Sequence, residues 1–394
     1  MAAREVVVVS AVRTAVGDYG GALKDIPPAQ LGALVLKEAI GRAKVDPAQV
    51  GHVFFGHVIN TEPRDMYLSR VATINSGLPK EVAAANINRL CGSGLQAIIS
   101  AAQSILLGDT DVAVGAGAES MTRAPYILPA QRWGARMGDA KALDMMVGAL
   151  SDPFDTVHMG ITAENVAERH QITRKDQDEL ALVSHQRAAK AAAEGRFKSQ
   201  IVPVEVMVKR KPVQFATDEH VRGEISMESL AALRTVFKKD GTVTAGNASG
   251  INDGASAVVL MEAQAAQKAG IKPLARLVSW GHAGVEPLYM GIGPVPSSKK
   301  ALERAGLKVG DIDVIEANEA FAAQACAVSK ELDFDPAKVN PNGSGISIGH
   351  PVGATGAIIT TKAVHELQRT NGRYALVTMC LGGGQGIAAI FERA

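Results

Sequence analysis

In the run Asn88-Arg89-Leu90-Cys91-Gly92-Ser93-Gly94, a cysteine stands at or just before the start of a helix. Free N–H groups and positive dipole potential at a helix N-terminus favour a thiolate. The Gly and Ser neighbours leave little bulk to bury the thiol, and Gly92 and Gly94 let a second backbone or a ligand come close. Cys91 therefore reads as a nucleophile rather than a core thiol. A second run, Gly349-His350-Pro351-Val352-Gly353-Ala354-Thr355-Gly356, sets a histidine in a glycine-bounded turn. Such a histidine could activate a thiol or donate to a developing oxyanion, although alone it reads equally as a structural residue. In Met379-Cys380-Leu381-Gly382-Gly383-Gly384 a strand-end thiol lies beside open backbone N–H groups, with a core thiol as its default reading. Asn318, in Glu316-Ala317-Asn318-Glu319-Ala320-Phe321, is another strand-end group able to hold a water or an oxyanion. Cys326 falls on the apolar face of the following helix and reads as core.

An internal repeat would bring these turns together. Ile40, Arg42, Ala43, Val45, Val50 and Val53 recur as Leu302, Arg304, Ala305, Leu307, Ile312 and Ile315, each pair 262 residues apart. Gly94 and Gly356 open small-residue helices at the same offset, and each helix leads into a strand, Val112–Val114 and Tyr374–Leu376. Two copies of one α/β unit follow, over roughly 1–120 and 270–394, with helices over Leu31–Ala43, Leu95–Leu107 and Ala357–Gln368 on a mixed sheet. Gly353 is the equivalent of Cys91, so His350 should approach from the opposing half. Residues 121–247 have no counterpart. Their alanine-rich helix Gln177–Glu194 suits an insertion that covers the substrate, and the basic run Lys209-Arg210-Lys211 reads as solvated surface. Asp218, Glu219 and His220 read as loop, and His52 and His57 as strand-flanking residues without metal-ligand company.

Composition sets the bounds. The chain has 394 residues, which at roughly 150 per domain suggests two or three domains. With 47% hydrophobic and 21% charged residues it suits a soluble globular protein. A net charge of +1 gives no global field towards nucleic acid or membrane. No apolar run is expected to reach the roughly 18 residues of a membrane span, and the stretch from Met1 to Arg13 has no leader pattern. The three cysteines form no disulfide framework and no CxxC site, which suggests reduced thiols in the cytoplasm. The glycine runs make no dinucleotide fingerprint.

Taken together, Cys91-Gly-Ser-Gly, Asn318-Glu-Ala-Phe, Gly349-His-Pro-Val-Gly-Ala-Thr-Gly and Cys380-Leu-Gly-Gly-Gly resemble the thiolases, within them the bacterial acetyl-CoA acetyltransferases and β-ketothiolases. The resemblance covers essentially the whole chain. It implies two βαβαβαββ halves in a five-layered αβαβα core: 1–120 with 248–270, and 271–394, with 121–247 as the inserted loop domain. It implies reversible Claisen condensation and thiolysis of acyl-CoA esters, with CoA a substrate and no cofactor or metal. His350 would deprotonate Cys91 for S-acylation, and Cys380 would move the α-proton of acetyl-CoA. One oxyanion hole would combine His350 with a water on Asn318, and the other the N–H groups of Cys91 and Gly382. For CoA the matching positions are His158, Met159 and Phe321 along the pantetheine, Ser249 beside it, and Arg222 and Ser229 at the nucleotide end. A homotetramer in the cytoplasm is the family expectation. A decarboxylating ketoacyl synthase would instead carry a histidine or asparagine at Cys380. A non-catalytic acyl-CoA- or lipid-binding relative would have lost Cys91, His350 or Cys380.

Overall fold

In the computed structural model, which describes residues 4–394, strand β1 (Val6–Thr14) is buried along its whole length near the middle of the sheet. Met1–Ala3, part of the stretch read for a leader, lie outside the described residues. Strands covered on both faces need near-continuous apolar sequence, and Val6–Val9 supplies it. The other long strands are β2 (Val50–Gly56), β3 (Ala83–Ile87), β4 (Val112–Ser120), β5 (Asn252–Glu262), β6 (Ala275–Gly284), β7 (Val314–Ala317), β8 (Tyr374–Leu381) and β9 (Gln385–Arg393).

The hydrogen-bonded order is β7-β8-β9-β6-β1-β5-β4-β2-β3. It is symmetric about the β6/β1 junction: β7, β8, β9 and β6 mirror β2, β4, β5 and β1. The junction itself is short, with only Val7 opposite Arg276 and Val8 opposite Ala275. The two half-sheets therefore diverge and admit helices between them. Helices α2 (Ser93–Leu107) and α7 (Thr355–Thr370) fill this space, packing on each other and on strands of the two halves. Their first residues are 262 apart, as are those of β4 and β8. Helix α1 (Pro28–Ala43) covers the outer face of one half-sheet, and α5 (Pro294–Ala305) that of the other. The sequence of layers is αβαβα, as expected.

Burial between two sheets also explains one departure from expectation. Leu90–Leu107 is long and apolar enough, by hydropathy alone, to pass for a membrane span, yet 67% of it is buried inside the protein. A helix covered by sheets on two sides must be apolar nearly all round.

The stretch between β4 and β5 carries helices α3 (Met159–His170) and α4 (Arg174–Ala193). The second begins three residues earlier than its alanine pattern suggests, because Thr173 and Asp176 form a capping box that satisfies the first free N–H groups. Lys209 and Arg210 occupy an exposed hairpin turn with φ of 48° and 64°. Asp218–His220 do form a loop, but one whose acids have partners. The buried Asp218 carboxylate grips the Arg13 guanidinium at 2.7 and 2.9 Å, tying this stretch to β1, and Glu219 accepts the N–H groups of Asp18 and Ala22.

Candidate active site

Cys91 sits one residue before Gly92, the N-cap of α2. The turn is tightened by Leu90 at φ 45° and by the Ser93 hydroxyl, which donates to the Leu90 carbonyl at 2.6 Å and accepts from the Arg89 N–H at 2.8 Å. Gly94 is required by close approach: a Cβ there would lie 2.6 Å from the backbone nitrogen of Ala357 in α7. The two central helices thus meet, N-terminus to N-terminus, beside the thiol.

Burial pushes the Cys91 thiol up to about 11, against the opposing pull of the Gly382 N–H and its own N–H, and Glu119 adds a further upward push. Desolvation outweighs the helix terminus here, so the resting group is a thiol and needs a base. His350 shares the cavity wall with it. Its Nδ1 lies 2.7 Å from Thr355 Oγ1, whose hydroxyl donates to the Pro351 carbonyl at 2.8 Å. With that proton committed, Thr355 must accept from Nδ1–H, which places the lone pair on Nε2. Burial holds His350 down at about 4, so the imidazole is neutral. The Asn252 Oδ1 accepts the His350 N–H at 2.9 Å and fixes the start of the turn.

Asn318 places Nδ2 3.4 Å from His350 Nε2, and its buried Oδ1 has no protein partner. Cys380 is fully buried in an apolar cluster with Met159, Met290 and Phe321. Burial raises its thiol strongly, and the nearby Cys91 adds to the rise.

A cavity of about 380 Å³ gathers Cys91, His350, Gly382, His158, Met159, Arg222, Ser249 and Phe321 on its wall. Asn318 and Cys380 do not line it; they stand behind its surface, next to His350 and Cys91 respectively. Ser229 opens instead on a neighbouring groove that Arg222 shares, and its hydroxyl donates to the Ser226 carbonyl. His158 also caps α3, its Nδ1 accepting from the Gly160 N–H at 3.0 Å, and it stacks on Phe237 with ring centroids 4.6 Å apart.

Several wall and support residues escaped the sequence reading. Phe237 and His220 line the cavity, and Thr355 and Asn252 orient the histidine. Thr355 lay in plain view inside the His350 turn; nothing local marked Asn252, whose partner is 98 residues away. His57 is not merely strand-flanking either: it is buried and sits 3.3 Å from Glu119.

A mirrored pair of α/β halves whose central turns present a thiol and an imidazole to one cavity defines an acyl-transferring thiol enzyme. The comparisons are specific. Residues 6–264 match the thiolase N-terminal domain and 271–393 the thiolase C-terminal domain. The chain belongs to the thiolase family. It is 68% identical to the "Beta-ketothiolase BktB" of Cupriavidus necator over 391 residues, 99% of each chain. It is 50% identical to the "Acetyl-CoA acetyltransferase" of Syntrophomonas wolfei, again over 99% of each chain. Among solved structures, human mitochondrial 3-ketoacyl-CoA thiolase in complex with CoA superposes with a TM-score of 0.96 at 44% identity, over 99% of this chain and 98% of that one.

Proposed function

We infer that this thiolase catalyses the reversible Claisen condensation of acetyl-CoA with acetyl-CoA or a short acyl-CoA, and the thiolytic cleavage of the resulting 3-ketoacyl-CoA. One observation carries the reading: the Cys91 thiol, the Nε2 lone pair of His350 and the Gly382 N–H converge on one cavity. His350 Nε2 takes the Sγ proton as sulfur attacks the thioester carbonyl and keeps it, while the departing CoA sulfur takes the thiol proton of Cys380 and leaves that cysteine as a thiolate. The N–H groups of Cys91 and Gly382 stabilise the oxyanion of that addition, where losing one donor costs about 10²–10³ in rate. The Cys380 thiolate then removes the α-proton of a second acetyl-CoA. The enolate oxygen is held by the His350 Nε2–H and a water on Asn318, and the carbanion attacks the acyl group and expels the Cys91 thiolate, which recovers its proton from His350.

CoA enters as substrate along His158, Met159, Phe321 and Ser249, with Arg222 and Ser229 towards its nucleotide end. No cofactor or metal takes part in this scheme, and turnover should survive EDTA. We also assign a cytoplasmic homotetramer, supported by the apolar side chains that the 126–144 hairpin region exposes: Tyr126 at 65%, Trp133 at 86% and Met137 at 98%. Light scattering on the purified protein tests the assembly. The activity test mixes acetoacetyl-CoA with CoA and follows loss of the 3-ketothioester absorbance. Absence of turnover with both acetoacetyl-CoA and 3-ketopentanoyl-CoA would refute the short-chain reading.

A further inference from the structure

Glu119 is a fully buried acid on β4 with no role in the scheme above. Its carboxylate accepts backbone N–H groups from Val58 at 3.0 Å, Ile59 at 3.2 Å and Gly353 at 2.9 Å. The first two belong to the turn after β2 in one half; the third belongs to the His350 turn of the other. His57 adds its Nδ1 at 3.3 Å, while donating to the Ala118 carbonyl at 2.9 Å. Buried carboxylates are costly, and one that gathers this many donors is being used to hold backbone in place.

The Gly353 peptide is held on both sides. A Cβ on Gly353 would fall 2.5 Å from a Glu119 oxygen, and a Cβ on Gly56 or Gly117 would fall 2.5 Å from the Gly353 carbonyl. No other residue fits at Gly353 while Glu119 keeps its bond. Ile59 and Val352, adjacent to or within the segments that Glu119 clamps, form the apolar cluster against which Cys91 packs.

We propose that Glu119, backed by His57, is a positioning residue that locks the His350 turn of one half against the Cys91 wall of the other. It touches no substrate. It sets the height of the imidazole over the thiol by fixing a peptide three residues away against the turn after β2. The titratable groups that share the cavity wall with Cys91 are His350, His158, His220, Arg222, Asp18 and Tyr19, with Cys380 and Glu119 close behind.

The inference rests on the thiolase reading, but alkylation of Cys91 requires no acyl-CoA, so its outcome stands apart from that of the thiolysis assay. Glu119→Gln keeps the shape while replacing one acceptor oxygen with a donor. With the imidazole displaced, kcat for acetoacetyl-CoA thiolysis should fall by about 10²-fold, while KM for CoA stays within about threefold of the parent. Removing the negative charge should also move the pH midpoint of Cys91 alkylation by iodoacetamide downward. His57→Gln is the milder variant, which keeps the test open if Glu119→Gln does not fold; its kcat should fall by about tenfold with KM unchanged. Either soluble variant with parental kcat, a KM that rises in step with the loss of kcat, or an unmoved alkylation profile in Glu119→Gln would overturn the proposal.

Discussion

Thr355 Oγ1 stands 2.7 Å from His350 Nδ1 and donates its hydroxyl hydrogen bond to the Pro351 carbonyl at 2.8 Å, so one hydroxyl decides which nitrogen of the imidazole carries the lone pair. Thr355→Val removes that acceptor at nearly constant shape. A buried Nδ1–H left unpaired costs about 1–3 kcal/mol, and shifting the proton to Nε2 relieves the cost. That tautomer presents N–H, not a lone pair, to Cys91. The kcat of Thr355→Val should fall by about 10–10²-fold, since a positioned general base contributes about 10²–10⁴. Thr355→Ser, which retains the acceptor, should remain near parental rates. A valine variant as fast as the serine variant would show that the hydroxyl does not set the tautomer.

The resting pair is neutral on both sides, with the Cys91 thiol at about 11 and the His350 imidazole at about 4. The pH dependence follows from the signs. Free thiolate grows only as pH rises towards 11, so alkylation of the free enzyme by iodoacetamide should climb steadily through pH 7 to 10 without levelling. Protonation of His350 sets in only well below its ordinary value, so its base form should persist through pH 6. A plateau of alkylation below pH 7 would reveal a thiolate–imidazolium pair instead and contradict the neutral one.

Much of this arrangement could be read before any coordinates. The 262-residue offset survives because equivalent strands and helices bury equivalent faces, so their apolar positions repeat, and the mirrored sheet order follows the same correspondence. The Cys91 and His350 turns were visible as glycine-bounded polar residues. What stayed hidden depends on long-range pairing. Glu119 reaches Gly353 across 234 positions, and Arg13 reaches Asp218 across 205, with no local pattern to announce either. The thiolate expected from the helix start at Cys91 also failed to account for burial, which only the packed structure reveals.

Lys362 offers a stability test beside the site. Its ammonium, 1% exposed with its side chain inside α7, lies 2.6 Å from Glu316 and also donates to the Gly343 carbonyl at 2.5 Å. Burial lifts Glu316 to about 7, with Lys362 pulling the other way, so without the cation the acid would sit higher still. Lys362→Met strands a buried carboxyl and should cost about 3–5 kcal/mol of stability. The double variant Lys362→Met/Glu316→Gln removes the stranded charge and should regain part of that loss. Denaturant melts of the single and double variants decide the point; a double variant less stable than Lys362→Met would mean the ion pair is not what the lysine supports.

Cys91 is close enough to Cys380 to oppose its ionisation, yet the proposed scheme uses the two at different steps. Cys380→Ala should therefore separate the two half-reactions. Incubated with labelled acetyl-CoA, the variant should still acquire label on Cys91, because S-acylation needs only that thiol, His350 and the N–H groups, and the departing CoA thiolate can take its proton from water. In deuterated water, by contrast, exchange of the acetyl-CoA methyl protons should drop to background, since no other base stands behind that part of the cavity wall except His350, which is committed to the enolate oxygen. Cys91→Ser should show the converse defect, losing the label and nearly all turnover, because an alkoxide is a far poorer leaving group than a thiolate in the final step. If the Cys380→Ala enzyme still exchanged deuterium at the parental rate, the α-proton would have to leave through His350, and the division of labour between the two cysteines would be wrong.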